Sequence, residues 1–165
     1  MLLNNFSNIL SAKLISTGYS SDKVHYIKTT DGTIYENIVS TTSVYLNKVP
    51  NKSSTSSTEQ SGIIVALTND ESEIPVNYYD YEIDNIDNQL SEISTIINNS
   101  NNYIISKIVK NNTDDDISIN TIGVIAHCYI SPYSTYKDIL IYKEKFDNAI
   151  TIEPGETKTF TITIG

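Results

Sequence analysis

The chain has 165 residues, and its formal net charge of −9 comes from 20 acidic side chains against 11 basic ones, every one of them Lys. Without Arg, and without clustered cations, it has no footing for the bidentate phosphate and base contacts of nucleic-acid binding. Its charge also opposes attraction to an anionic membrane surface, so neither nucleic acid nor membrane is an expected partner.

The length fits one domain with a core of its own. Apolar residues make up 39% of the chain, and the aromatic share rests on 12 Tyr with 3 Phe and no Trp. Tyr, Ile and Thr suit pleated, half-buried surfaces while Asn and Ser suit turns, so composition favours β structure. No apolar run reaches the roughly 18 residues that span a bilayer. The start, Met1-Leu2-Leu3-Asn4-Asn5-Phe6, lacks the basic region of a secretory signal, and the expectation is a soluble protein made in the cytoplasm. The single Cys128 cannot close an internal disulfide or build a Cys-based zinc cluster. Its setting, Val124 to Ile130, is apolar and suits a buried structural thiol, since a reactive thiolate needs an open, electropositive site.

In chain order, Ala12-Lys13-Leu14-Ile15 is the first strand-like segment. Lys23 to Lys28 and Thr33 to Val39 flank Asp31-Gly32, a hairpin signal. Thr42 to Val49 adds a further strand. Asn51 to Gln60 is polar and of low complexity, and either divides an N-terminal arm from a C-terminal domain or forms a long exposed hairpin loop. Gly62 to Thr68 is a continuous apolar run, as expected of a strand buried on both faces. Asn69 to Tyr79 is a loop. In Asp80 to Ile97, Ile83, Ile86, Leu90, Ile93 and Ile97 recur at spacings of three and four, which predicts a short helix.

From Tyr103 the pattern returns to β: Tyr103 to Val109, a polar tip at Lys110 to Asp116, Ile117 to Tyr129, Asp138 to Tyr142, and Thr157 to Ile164. In the last of these Phe160, Ile162 and Ile164 share one face and Thr159, Thr161 and Thr163 the other. The predicted architecture is all-β, an antiparallel β-sandwich of the jelly-roll kind with one short helical segment near 80–97 and an N-terminal β arm or subdomain. Its divisions are 1–50 as arm or docking region, 51–60 as polar loop and 61–165 as sandwich, or one domain throughout. Ile122, Val124, Ile139, Ile141, Phe160 and Ile162 are its expected core.

Six segments fall in a fixed order: Gly62-Ile63-Ile64-Val65; Asp80-Tyr81-Glu82-Ile83; Thr121-Ile122-Gly123-Val124; Ile139-Leu140-Ile141-Tyr142-Lys143; Ala149-Ile150-Thr151-Ile152-Glu153-Pro154-Gly155-Glu156; and Thr159-Phe160-Thr161-Ile162-Thr163-Ile164. Over residues 62 to 165 this order resembles a module of tailed-bacteriophage virion proteins. The pattern departs from that family at Thr121, where an acidic residue is usual, and at Lys143, where Arg is usual. The resemblance implies a non-enzymatic structural component of the particle (head decoration or fibre, neck or tail appendage), assembled in the host cytoplasm with other virion proteins. It also implies repeated copies, a trimer by analogy, and no catalytic residues, metal or cofactor.

The residues themselves offer little chemistry. His25 lies in an alternating strand. His127 is adjacent to Cys128, and neighbouring strand residues point to opposite faces, so the two cannot form a dyad. Asp114-Asp115-Asp116 lacks the alternating frame of a calcium loop and reads as a solvated turn. Glu153 and Glu156 flank Pro154-Gly155, which suits a type II turn, whereas a glycosidase needs carboxylates facing across a cleft. Tyr is the type whose abundance could carry function. Tyr78, Tyr79 and Tyr81 cluster, as do Tyr129, Tyr133 and Tyr136, and a flat face with a hydroxyl suits protein interfaces or sugar stacking. Tyr78, Tyr79, Tyr81, Tyr133 and Tyr136 are the candidate interface residues. The alternative function is a carbohydrate-binding host-recognition module of a phage fibre, with a surface glycan as partner.

Overall fold

The computed structural model describes residues 1–3, 27–36, 45, 48–50, 59–70, 82–83, 89–98, 103–130 and 133–164. The expected strand at Ala12 to Ile15, His25, and most of the Asn51 to Gln60 and Asn69 to Tyr79 loops lie outside them. Among the described residues eight strands run in order: β1 (Ile27–Lys28), β2 (Ile34–Tyr35), β3 (Gly62–Thr68), β4 (Leu90–Asn98), β5 (Tyr103–Asn111), β6 (Ile117–Ile130), β7 (Thr135–Ile152) and β8 (Thr157–Ile164). They form a hairpin β1-β2 and two three-stranded sheets, ordered β3-β6-β7 and β4-β5-β8. The protein is all-β with antiparallel sheets.

The predicted helix near 80–97 is not formed where the chain is described: Leu90–Asn98 is strand β4, paired antiparallel with β5 from Leu90↔Asn111 to Asn98↔Ile104. A register shift between Glu92 and Ser94 explains the misleading pattern. A bulge adds one residue to the strand, so positions that would repeat every two residues are offset to an odd spacing resembling a helical one. The composition agrees, because Ser, Thr and Ile dominate the segment, and β-branched side chains lose rotamer freedom in a helix.

The expected turns are present. Thr29 N–H donates to Thr33 O and Gly32 N–H to Thr29 O, with Gly32 at φ 83°. At the β7–β8 turn, Glu156 N–H donates to Glu153 O at 3.0 Å and Gly155 has φ 77°, the type II geometry read from Pro-Gly. Asp114, Asp115 and Asp116 are exposed in the β5–β6 turn.

The chain divides into two compact units, Met1–Ile64, Val76–Ile83 and Gly123–Lys143 in one, and Val65–Pro75, Asp84–Ile122 and Glu144–Gly165 in the other. Strands β3, β6 and β7 pass from one to the other. All six residues expected in the core are buried, with Val124, Ile139 and Ile141 in the first unit and Ile122, Phe160 and Ile162 in the second. Cys128 is buried in the first, its thiol directed at Ala126 O. The second stacks Phe146 on Phe160 with ring centroids 6.5 Å apart.

In the second unit, Ile105, Lys107, Val109 and Asn111 form the buried row of β5. Lys107 is 1% exposed; its ammonium donates to Val65 O at 2.6 Å and lies 3.4 Å from a Glu92 carboxylate oxygen. Asn111 is 0% exposed, and its side chain uses all four hydrogen-bonding positions. Nδ2 donates to Ile152 O and Asp115 O, and Oδ1 accepts from the Thr113 N–H and hydroxyl. Its backbone adds Asn111 N–H to Glu156 O and Gly155 N–H to Asn111 O. One residue thus ties the β5–β6 turn to the β7–β8 turn.

Removing that amide takes a donor from the buried Ile152 carbonyl and empties a fully buried polar position, so Asn111→Ala should lower the unfolding free energy by about 2–4 kcal/mol. Asn111→Asp should lower it at least as much, because an anion then faces the same carbonyls. Denaturant unfolding of both variants measures this; a loss confined to the alanine variant would mean the two donated hydrogen bonds contribute nothing.

Candidate functional site

A polar cluster around the buried His127 in the first unit is built by strand alternation. On β6, His127 and Tyr129 are two residues apart and share a face; on β7, Tyr136 and Asp138 do the same. The third contributor is the segment entering β3, where Ile63 N–H donates to Lys48 O. Gly62 is required there, since a Cβ would lie 2.3 Å from Pro50 N and 2.6 Å from Val49 C. That close approach brings Lys48 beside Glu59 and Gln60.

His127 is 5% exposed and held at both ring nitrogens: Nδ1 lies 2.6 Å from Asp138 Oδ1 and Nε2 3.0 Å from Glu59 Oε1. The imidazole stacks on Tyr136 at 5.2 Å and 12° between planes, and Tyr129 meets Tyr136 at 5.1 Å and 57°. The Tyr136 hydroxyl donates to Glu59 O at 2.8 Å, and burial, then the Glu59 charge, pushes its pKa above the ordinary phenol value. Neither ring nitrogen is left to serve a nucleophile, so the cluster acts as a clamp holding Glu59 and Asp138 against β6.

Two cavities flank this clamp. The larger, about 630 Å³, is an open cleft lined by Tyr45, Lys48, Glu59, Gln60, Tyr129 and Tyr136, among others. The Lys48 ammonium lies 4.4 Å from the centroid of Tyr45 and donates to Gln60 Oε1 at 3.2 Å. The smaller, about 210 Å³, has Asp31, His127, Lys137 and Asp138 in its wall. Asp31 accepts from the Thr29 hydroxyl and the Thr33 N–H, and Lys137 lies 3.5 Å away; these contacts, led by Thr29, hold its carboxyl well below the usual carboxylate range.

Of the candidate interface tyrosines, Tyr78, Tyr79 and Tyr81 lie outside the described residues. Tyr133 is 47% exposed, but its hydroxyl donates to Glu36 O and its ring meets Tyr35 edge-on at 4.8 Å, so part of it docks the β1–β2 hairpin. Tyr136 is a wall of the cleft. Glu153 and Glu156 sit on one exposed turn, where Glu156 pairs with Lys158 and its carboxyl is held below the usual range, chiefly by that lysine. Among the described residues no group of three or more His, Cys, Asp or Glu could hold a metal ion, and no helix is long and apolar enough to cross a membrane. Sequence reasoning missed the His127 clamp because Glu59 is 68 positions away from its partner. No family model, curated protein or solved structure matches the chain.

Replacing His127 by Phe keeps the ring stack and removes the hydrogen-bonding groups at both ring nitrogens. The variant should lose about 1–3 kcal/mol, a range kept small because both carboxylates remain partly solvated. Adding Glu59→Gln and Asp138→Asn should recover part of the loss, as a denaturation cycle would show.

Asp31 carries the pH dependence of the hairpin. Its folded pKa is depressed below the ordinary 3.8. The stability it contributes is therefore complete above that value and withdrawn as pH falls through the folded pKa in strong acid. Hairpin amide shifts followed by NMR should hold constant across mild acid, and Asp31→Asn should abolish the strong-acid transition.

Proposed function

We propose that the protein is a non-enzymatic structural component of a phage particle, an antiparallel β-sandwich module of the jelly-roll kind that assembles with copies of itself and with other virion proteins in the host cytoplasm. The order of its six C-terminal segments suggests the class, and one structural observation carries the assembly reading. Strand β8 pairs with β5 along its whole length, Tyr103↔Ile164 to Lys110↔Thr157, and is the edge of its sheet. Within this sheet its outer side has no partner strand among the described residues.

A long, regular, Pro-free edge is a template for another strand, and proteins that do not use such an edge blunt it with charge, proline or bulges. Here Thr157, Thr159, Thr161 and Thr163 present an exposed, uncharged row, while Phe160 and Ile162 are buried on the other face, which Lys158 shares. The opposite edge is β4, which carries Ile96 exposed and the bulge at Glu92–Ser94. A sheet with two different edges favours heterologous contact, one copy's β8 beside the next copy's β4, which closes into a ring when the rotation allows. The number of copies, three, comes from the phage resemblance alone.

Sedimentation velocity with light scattering is the test. The full chain should run as a closed homo-oligomer, a trimer, at tens of micromolar. Thr159→Glu with Thr161→Glu, both exposed, should shift it to monomer without changing its circular dichroism. A wild-type monomer under these conditions would overturn self-assembly.

A further inference from the structure

We propose that the cleft between Tyr45, Tyr129 and Tyr136 binds a neutral saccharide, a function separate from assembly and one that uses no residue of β8. At about 630 Å³ it falls within the size range of small-ligand sites. Three tyrosines reach it from three separate chain segments, and Tyr129 and Tyr136 meet at 57°, forming an angled aromatic wall. A sugar ring offers apolar C–H faces and equatorial hydroxyls together, and an aromatic wall with a polar rim satisfies both.

The rim favours neutral ligands over charged ones. It offers an ammonium at Lys48, an amide at Gln60 and a carboxylate at Glu59, so donors and acceptors are both present and opposite charges balance. Glu59 disfavours an anion. A cation seeking an aromatic cage finds a face of Tyr45 already taken by the Lys48 ammonium at 4.4 Å.

The wall is also held in place before any ligand arrives. Tyr136 is fixed by its hydrogen bond to Glu59 O and its stack on His127, which is itself clamped at both nitrogens. Ser134, another residue of the cleft, has φ 50°, the one non-glycine in the left-handed region among the described residues. Such backbone persists only where surrounding structure enforces it, and it recurs at ligand sites. A rigid wall lowers the ordering cost of binding.

The experiment uses the full chain in saturation-transfer NMR and calorimetry. The probes are lactose, maltotriose and diacetylchitobiose, followed by an array of neutral glycans, with sialic acid and glycine betaine as charged comparators. At least one neutral glycan should bind saturably, in the millimolar range or tighter. Gln60→Ala and Tyr45→Ala, both at exposed positions, should each weaken it by about tenfold, the size of one lost polar or stacking contact. Their circular dichroism and oligomer mass should match wild type, which separates this outcome from any failure of assembly. Silence across all neutral glycans, binding of only a charged comparator, or affinity unchanged in both variants would overturn the proposal.

Discussion

Strand β5 lies between β4 and β8 and turns Ile105, Lys107, Val109 and Asn111 toward the interior, so two of the four residues in its buried row are polar. An ammonium taken out of water costs several kcal/mol unless it is met by partners. Lys107 is met by Val65 O and Glu92, and Asn111 by carbonyls at Asp115 and Ile152. These partners sit at fixed positions, so a slip of one residue along β5 would turn both side chains outward and strand their acceptors. Apolar burial alone would tolerate several arrangements of isoleucine-rich strands; these polar requirements select one.

The first unit uses the same device. His127 is buried among apolar neighbours on β6, and only the simultaneous presence of Glu59 and Asp138 makes that acceptable. The consequence reaches past stability. By fixing Glu59 and stacking on Tyr136, the histidine sets the shape of the cleft wall before any ligand is present. A residue engaged at both nitrogens thereby determines where the aromatic faces and rim groups stand.

The two functional proposals draw on different physics and different residues. The assembly proposal rests on the outer side of β8, which has no partner strand in its sheet among the described residues. Saccharide binding rests on side chains gathered from Tyr45, the Lys48 and Glu59–Gln60 segments, β6 and β7. A protein repeated around a particle and carrying one shallow site per copy gains avidity from multiplicity, so each site can be weak.

Much of the fold was legible in the sequence where the physics is local. Alternation marked Thr157 to Ile164, continuous apolarity marked Gly62 to Thr68, and Asp31-Gly32 and Pro154-Gly155 marked turns that the structure contains, since φ preferences act within a few residues. The expectation failed at Leu90 to Asn98, where a bulge displaced the phase of alternation and an inserted residue imitated a helical period. Burial of Ile122, Val124, Ile139, Ile141, Phe160 and Ile162 followed from hydrophobicity, but their division between two units did not. The site was the least legible part. Tyr129 and Tyr136 stood out as tyrosines in a rich cluster, while the pairing of His127 with Glu59 and Asp138 depends on which strands lie side by side. Periodicity and turn chemistry are properties of neighbouring residues and can be read from their order. A clamp joining positions 59, 127 and 138 exists only once the strands carrying them have been brought together, and that was decided by the tertiary structure.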